Sequence, residues 1–437
     1  AQAISVQAIL DRSFGHSCSS EYSPSADMLA KLANRLQHAL SRILLRCSGA
    51  APWRARAGPG MTHEVRRQRQ PALHHIVDRI LADDCDEVYV KGMEKDVVVS
   101  ALSASEIPSH PKMDSGATGV AWVQWRDPAQ DNNLRGGAWV FVPPGISDPD
   151  ACILYVHGGS FYKYHPLTGA YDVFCSRVAK RTGMVVVCPD HLKSHLGRSY
   201  LAKEIIAQLL QDLKWLSIMD PVSQGPRSSP PKLFLMGDSS GACQALSLLL
   251  LAARESQEIL PLIKAVLLSS PWLDMSCGSP SYISNAYGPI GHTGDVCWPR
   301  PAHLHPILSR ACAEKYLGSE ALFRDPVFSP YWLCREEGRE LAEALAQHDI
   351  AIWLLTGASE VLAGEVLDFT QRLAQRILVE TWLHEGMFHD FMGYESPIAP
   401  FPSHIAAWDE MERFMQAVQT DPKSIRRGVN YYIEPWV

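Results

Sequence analysis

No apolar stretch of this 437-residue chain approaches the roughly 18 to 20 residues that cross a bilayer, which argues against a helical membrane protein. The longest such run, Ala245 to Ala253, is interrupted by Ser247. Positive charge is also short: 40 Lys and Arg stand against 47 Asp and Glu, for a net charge of -7. That balance gives no electrostatic reason to expect a nucleic-acid partner. There is no G-x-x-x-x-G-K string to cradle a phosphate. The 11 cysteines are odd in number and lack C-x-x-C spacing, so neither a zinc site nor a disulfide framework is indicated. Cys152, Cys188 and Cys243 lie inside apolar runs and read as buried free thiols of a reducing compartment. An intracellular, cytoplasmic location follows as the expectation. No internal repeat is visible, which removes solenoids and propellers.

Two short strings are present instead. His157-Gly158-Gly159-Ser160-Phe161 ends the apolar run Ile153-Leu154-Tyr155-Val156, and Gly237-Asp238-Ser239-Ser240-Gly241 ends the run Leu233-Phe234-Leu235-Met236. In the second, a strand runs into G-x-S-x-G and then into an Ala/Leu-rich helical segment, the context that lifts the middle serine onto a sharp exposed turn. Ser239 is therefore the candidate nucleophile. Backbone N–H groups of Gly158, Gly159 and Ser240 are the candidate oxyanion donors, since glycine lets the backbone approach a carbonyl and a helix start favours negative charge.

A serine needs a base, and the base needs an anion to hold its tautomer. Near the C-terminus the strand-like Leu378 to Leu383 runs into His384-Glu385-Gly386-Met387-Phe388-His389-Asp390-Phe391. His389, in a loop, is the candidate base; His384, at the strand's end, reads as structural. The apolar run Ala351 to Leu355 ends at Thr356 and Gly357, and the following loop presents Glu360, the candidate acid. Its other reading is a helix-dipole charge on the next helix. Asp368 and Asp390 are the fallback carboxylates: Asp368 lies within that helix, and Asp390 is adjacent to the base and poorly placed for its far nitrogen.

The set HGGSF, GDSSGA, SPWLD (Ser270 to Asp274), GASEVLAGE (Gly357 to Glu365) and HEGMFHDF (His384 to Phe391) resembles the hormone-sensitive-lipase-like family of α/β hydrolases, the fold-3 group, over roughly residues 118 to 420. That resemblance implies Ser239 as nucleophile, His389 as base, Glu360 as acid where most relatives carry Asp, and Gly158, Gly159 and Ser240 around the oxyanion. Two departures stand out. Relatives follow the strand Met184 to Asp190 with Tyr-Arg-Leu-Ala-Pro-Glu, where this chain has His191-Leu192-Lys193-Ser194-His195-Leu196; and Ser160 replaces a common third glycine. Receptor-like members of the family share HGGSF and GDSSG but lack the catalytic histidine, so His389 favours an enzyme over a silent ligand-binding protein.

Strand-like runs at Val120 to Trp125, Ala138 to Val142, Ile153 to Val156, Met184 to Cys188, Leu233 to Met236, Ala265 to Leu268, Ala351 to Leu355 and Val379 to Leu383 alternate, after the first two, with helical stretches near Tyr200 to Leu216, Ala242 to Arg254, Gly364 to Arg376 and Ile405 to Val418. The expected class is α/β: a mostly parallel central sheet with helices on both faces and a helical cap. The expected organisation is an N-terminal extension over 1–70, an N-terminal cap contribution over 71–117, core over 118–272 and 350–420, an inserted Pro-rich cap over 273–349 and a tail over 421–437. Residues 28–77 hold eight arginines and one lysine against one acid, Glu64, a composition compatible with organellar targeting. The chain begins at Ala1 rather than Met, and Met61 is a candidate start. The expected activity is hydrolysis of small-molecule carboxylic esters by a Ser-His-Glu triad, with no metal and no organic cofactor; acyl and alcohol specificity and oligomeric state are not encoded legibly.

Overall fold

Strands that are apolar on both faces form where parallel pairing leaves no face to water. In the computed structural model of the protein, which describes residues 98–101, 138–146, 150–162, 164, 166, 171–194, 200–285, 295, 297, 308–394 and 402–433, the runs around Ile153, Val186, Leu235, Val266 and Ile352 are such strands. All of these residues belong to one unit of the chain, Ala55–Val437.

In chain order the elements are β1 (Val98–Ala101), β2 (Ala138–Val142), β3 (Ala151–Val156), α1 (Tyr171–Thr182), β4 (Val185–Pro189), α2 (Ala202–Ile218), β5 (Lys232–Asp238), α3 (Ser239–Glu255), β6 (Ile263–Ser269), α4 (Arg310–Leu317), α5 (Arg339–Gln347), β7 (Ala351–Gly357), α6 (Ala363–Leu373), β8 (Val379–His384), α7 (Pro402–Thr420) and β9 (Gly428–Tyr432). Among the described residues the sheet has nine strands in the order β1-β2-β4-β3-β5-β6-β7-β8-β9. β1, β2 and β4 pair antiparallel; every pair from β4–β3 onward is parallel. This is the α/β-hydrolase fold.

The period of two along each strand divides the core. Cys152, Leu154, Val156, Leu233 and Leu235 face one layer with α2, α3, α5 and α6, while Ile153, Tyr155, Phe234 and Met236 face the other with α1 and α7. The run Ala245 to Ala253 lies in α3, wholly buried behind Ser239. Among the described residues no helix is long and apolar enough to cross a membrane. Cys152, Cys175, Cys188, Cys243 and Cys334 are buried free thiols.

Several boundaries differ from the sequence expectation. Residues 98–101, expected within a cap contribution, extend the sheet as β1; the expected strand Val120 to Trp125 and the helical pieces near 25–45 and 70–83 lie outside the described residues. Within the stretch expected as cap, α5 buries Ala342 and Leu345 in the main core. The physical reason is the parallel pairing of β6 and β7, which requires a crossover, usually a helix packed on the sheet. Residues 428–432, expected as tail, pair with β8.

Truncation of a fully buried strand residue tests the core. Trp353→Ala in β7, at 0% exposure, is expected to lower unfolding free energy by about 3–5 kcal/mol in denaturant melts. Ile218→Ala, at 64% exposure on α2, should stay within about 0.5 kcal/mol of the parent.

Candidate active site

Among the described glycines, the one with least room for a side chain lies where β5 turns into α3. A Cβ on Gly241 would sit 2.2 Å from the carbonyl oxygen of Val156 and 2.5 Å from the carbonyl carbon of His157; one on Gly237 would meet Gly241 O at 2.6 Å. Only glycine fits backbone so close to backbone. Ser239, between them, is held at φ 52°, a conformation that costs a non-glycine residue about 1–3 kcal/mol. The neighbouring strand end and α3 lock the turn, and the serine is presented at the carboxyl edge of the sheet.

Ser239 Oγ lies 2.9 Å from His389 Nε2, and His389 Nδ1 lies 3.0 Å from Glu360 Oε2. The residues expected as nucleophile, base and acid thus meet in one hydrogen-bonded chain. Glu360 is fully buried; its other oxygen accepts from Ser270 Oγ (2.8 Å), Thr356 Oγ1 (3.2 Å) and the N–H of Gly357. The two loops carrying acid and base cross closely, since a Cβ on Gly357 would lie 2.3 Å from Met387 O. The acid loop is also clamped from the segment after β6: Asn285 Nδ2 donates to Ala358 O (3.1 Å) and Glu360 O (2.6 Å), and Asp295 Oδ2 accepts from the N–H of Val361 (2.5 Å).

The rejected alternatives lie elsewhere or differently. Asp368 accepts from Tyr331 Oη (2.6 Å), Arg335 (2.9 Å) and Arg372 (3.0 Å), a half-exposed cluster remote from His389. His384 is fully buried between Phe391 and Tyr432, ring centroids 4.9 and 4.7 Å away, and burial pulls its pKa down to about 3. Asp390 does reach the base, but at Nε2 (3.1 Å) rather than Nδ1.

One expected oxyanion donor is corrected. The N–H of Gly158 donates to Asp238 Oδ1 at 2.9 Å, so it is engaged within the fold rather than turned to a substrate. Asp238 also accepts from Tyr155 Oη (2.6 Å) and Tyr171 Oη (2.8 Å). A Cβ on Gly158 would sit 2.4 Å from Asp238 Oδ2, which gives the glycine a packing reason. Gly159 and Ser160 follow at φ 114° and 55°. Their N–H groups meet no acceptor among the described residues, and the N–H of Ser240 lies in the first turn of α3, where intrahelical acceptors are missing. The loop is fixed from behind by Phe161, whose N–H donates to Ser240 Oγ (3.1 Å) and whose ring stacks on Tyr316 of α4 at 3.7 Å.

The altered loop after β4 still braces this turn, with other chemistry. The N–H of Ser194 donates to Phe161 O (2.9 Å), the N–H of Leu192 to Gln208 Oε1 (2.7 Å), and the His191 ring lies 4.4 Å from that of His157. Lys193, 2% exposed, donates from Nζ to His191 O at 2.6 Å and lies 3.4 Å from Asp190 Oδ1.

Carboxylates crowd the imidazole. Burial opposes its charge, yet Asp390 and then Cys297 outweigh burial and push the His389 pKa well above the ordinary value. The Cys297 thiol is itself raised by burial to about 11, so near neutrality the carboxylate is the partner that matters. Burial raises Glu360, and its bond to His389 opposes that rise. Asp238 is pushed up to about 7, by burial and then by Asp390.

With this geometry in place, comparison with known proteins gives the class. Residues 153–393 match the family described as alpha/beta hydrolase fold, more than half of the chain. The chain belongs to that family, the hormone-sensitive-lipase-like group whose motifs it carries. A lipase 2 of Moraxella sp. (strain TA144) is 31% identical over 123 residues, a match covering 28% of this chain and about a quarter (24%) of that lipase. Among solved structures, brefeldin A esterase, a bacterial homologue of human hormone-sensitive lipase, superposes with a TM-score of 0.56 at 17% identity, covering 89% of this chain and 94% of its own. An esterase from the bacterial hormone-sensitive lipase family gives 0.52 at 19% identity, with 82% and 93% covered. The Pyrobaculum calidifontis esterase gives 0.51 at 17% identity, with 87% and 98% covered. At these identities the structures speak for the fold.

The packing at the turn is directly testable. Gly241→Ala places a methyl group against two backbone atoms that cannot yield, and is expected to lower the thermal midpoint by several degrees or prevent folding. An unchanged melt would contradict the close approach.

Proposed function

We propose that the protein is a serine carboxylic-ester hydrolase acting on small-molecule esters. The observation that carries this reading is the continuous chain from Ser239 Oγ through the His389 ring to the buried Glu360. As Oγ attacks the ester carbonyl carbon, its proton passes to His389 Nε2 and the carbonyl electron pair moves onto oxygen. The N–H groups of Gly159, Ser160 and Ser240 receive that oxyanion, with Gly158 as the brace that anchors their loop to Asp238. The imidazolium returns its proton to the leaving alkoxide. Water then attacks the acyl-enzyme by the same route in reverse, and the enzyme is restored.

Glu360 serves where Asp is commoner because its carboxylate is drawn back to its own loop, accepting from Gly357, Thr356 and Ser270. The longer side chain is thereby held to one position beside Nδ1. The segment that follows β6, with α4 stacked on the oxyanion loop through Tyr316 and Phe161, acts as the cap and supplies specificity. An intact base within reach of the serine supports an enzyme over a receptor-like, silent binder. Family membership and the likeness to esterase folds agree with this reading.

Ser239→Ala is expected to abolish p-nitrophenyl ester hydrolysis and fluorophosphonate labelling, with kcat down by roughly 10⁶, while the melting curve is retained. His389→Ala should lose a comparable factor, whereas His384→Phe, which keeps an aromatic ring between Phe391 and Tyr432, should retain most activity. Equal losses at both histidines in folded protein would leave His389 without a special role.

The acid has its own test. Glu360→Gln keeps shape but removes the charge facing Nδ1, and should lower kcat by roughly 10² to 10⁴. Glu360→Asp should recover part of that loss, and Asp368→Asn should leave kcat unchanged. A dead Asp368→Asn beside an active Glu360→Gln would sink the assignment.

A further inference from the structure

Asp390 stands on the nitrogen that faces the serine. Its Oδ2 is 3.1 Å from His389 Nε2, the atom that also lies 2.9 Å from Ser239 Oγ, while Glu360 holds Nδ1 from the other side. The placement is built into the loop. Asp390 takes the left-handed conformation at φ 55°, its N–H donates to Ser270 Oγ (2.9 Å), and its carbonyl accepts from the N–H of Gly393 (2.8 Å). Ser270 in turn donates to Glu360 Oε1, so one hydroxyl links the backbone of one carboxylate residue to the side chain of the other.

This geometry suits one protonation state of the ring. A neutral imidazole that gives its Nδ1 proton to Glu360 presents its Nε2 lone pair to Ser239, and a carboxylate oxygen 3.1 Å from that nitrogen has no positive charge to pair with. An imidazolium presents an N–H there. We propose that Asp390 is a positioning residue whose carboxylate pairs with the His389 imidazolium beside Nε2, while Ser239 keeps the hydrogen bond at that atom, and that it stabilises the same cation during attack. The inference rests on the reading of His389 as the base. In the attack step the proton moves from Oγ to Nε2 while the Oγ–carbon bond forms and the carbonyl electron pair moves onto oxygen; Asp390 pairs with the charge so formed on the ring and takes no proton.

The groups that face His389 are Ser239 from the β5–α3 turn, Glu360 from the acid loop, Asp295 and Cys297 from the segment after β6, and Asp390 itself. Facing Asp390 are Asp238 at the end of β5 and Tyr171 of α1. Of these, Asp390 is the carboxylate beside the ring nitrogen that faces Ser239. Two consequences follow, with opposite signs. Holding the resting imidazolium keeps the base protonated to higher pH, so activity rises only as pH passes through the raised histidine pKa. Above that pKa, where the ring rests neutral, the same carboxylate favours the cation formed on attack and raises kcat.

The test compares the parent with Asp390→Asn, an isostere that tolerates left-handed backbone, and Asp390→Gly, which has no φ penalty. The acid limb of kcat/KM for p-nitrophenyl butyrate is expected to move down by at least one pH unit in both, giving about tenfold higher relative activity on the acid side. The alkaline plateau of kcat is expected to fall, so that the profiles cross. A merely structural lesion lowers the whole profile without moving the limb, and that outcome overturns the proposal. An NMR titration of the His389 ring, assigned by its loss in His389→Gln, gives a readout without turnover. A midpoint unchanged in Asp390→Asn overturns the proposal even if the protein is an esterase. A midpoint that drops in a protein without esterase activity upholds the contact and rejects the functional reading instead.

Discussion

Backbone pressed against backbone, where α3 starts beneath the end of β3, is the constraint on which the rest of the molecule depends. The missing side chains at Gly237 and Gly241 let the turn close to within contact of Val156 and His157. That closeness sets the height of Ser239 above the sheet edge, and so the distance His389 must span from the far side. The parallel register of β5, β6 and β7 carries the remaining loops to the same edge, because each strand delivers its carboxyl end there. The site inherits its accuracy from strands rather than from the loops themselves.

A second layer of control is electrostatic. Glu360, Asp390 and Asp295 act on one imidazole, and Asp238 on Asp390, in a region from which water is largely excluded. Three of the carboxylates have their own donors: Glu360 a glycine N–H and two hydroxyls, Asp238 two phenols and the Gly158 N–H, Asp295 two loop N–H groups. Those bonds offset the desolvation of buried charge and give each group a separate task. One anion orients the ring, another anchors the oxyanion loop and a third clamps the acid loop.

Legibility in the sequence followed the range of the signal. Strands β3, β5, β6 and β7 are continuous apolar runs ended by glycine or polar residues, so their positions and the turns after them can be read directly. Ser239 and Glu360 each follow such a strand, His389 follows β8, whose run is broken by Glu380 and Thr381, and the structure brings the three together. Helix α1 left no sign of its own, since its apolar stripe of Val173, Cys175, Val178 and Ala179 is diluted by polar neighbours. The engagement of Gly158 was invisible because its acceptor, Asp238, lies 80 positions away and acts through the fold. Adjacency keeps Asp390 from the far nitrogen of His389, and its approach to the near one depends on a left-handed turn that leaves no sequence signature. The clamp from Asn285 and Asp295 had no local signature at all, because neither residue lies in a recognisable motif.

The strand at the C-terminal edge has a consequence for self-association. β8 is buried along its whole length, and β9 lies parallel to it, covering a row of N–H and C=O groups. The N–H of Arg426, just ahead of β9, is received by buried Glu380 at 2.8 Å, so this covering strand is tied down at its start. β9 itself is half-exposed, with Tyr431 at 58%, and Ile433 just beyond it is 59% exposed. The sheet has thus exchanged a fully buried edge for a short, partly solvated one. Detachment of five residues would uncover the unpaired backbone row of β8 to a second chain, so β9 covers the edge most open to edge-to-edge pairing.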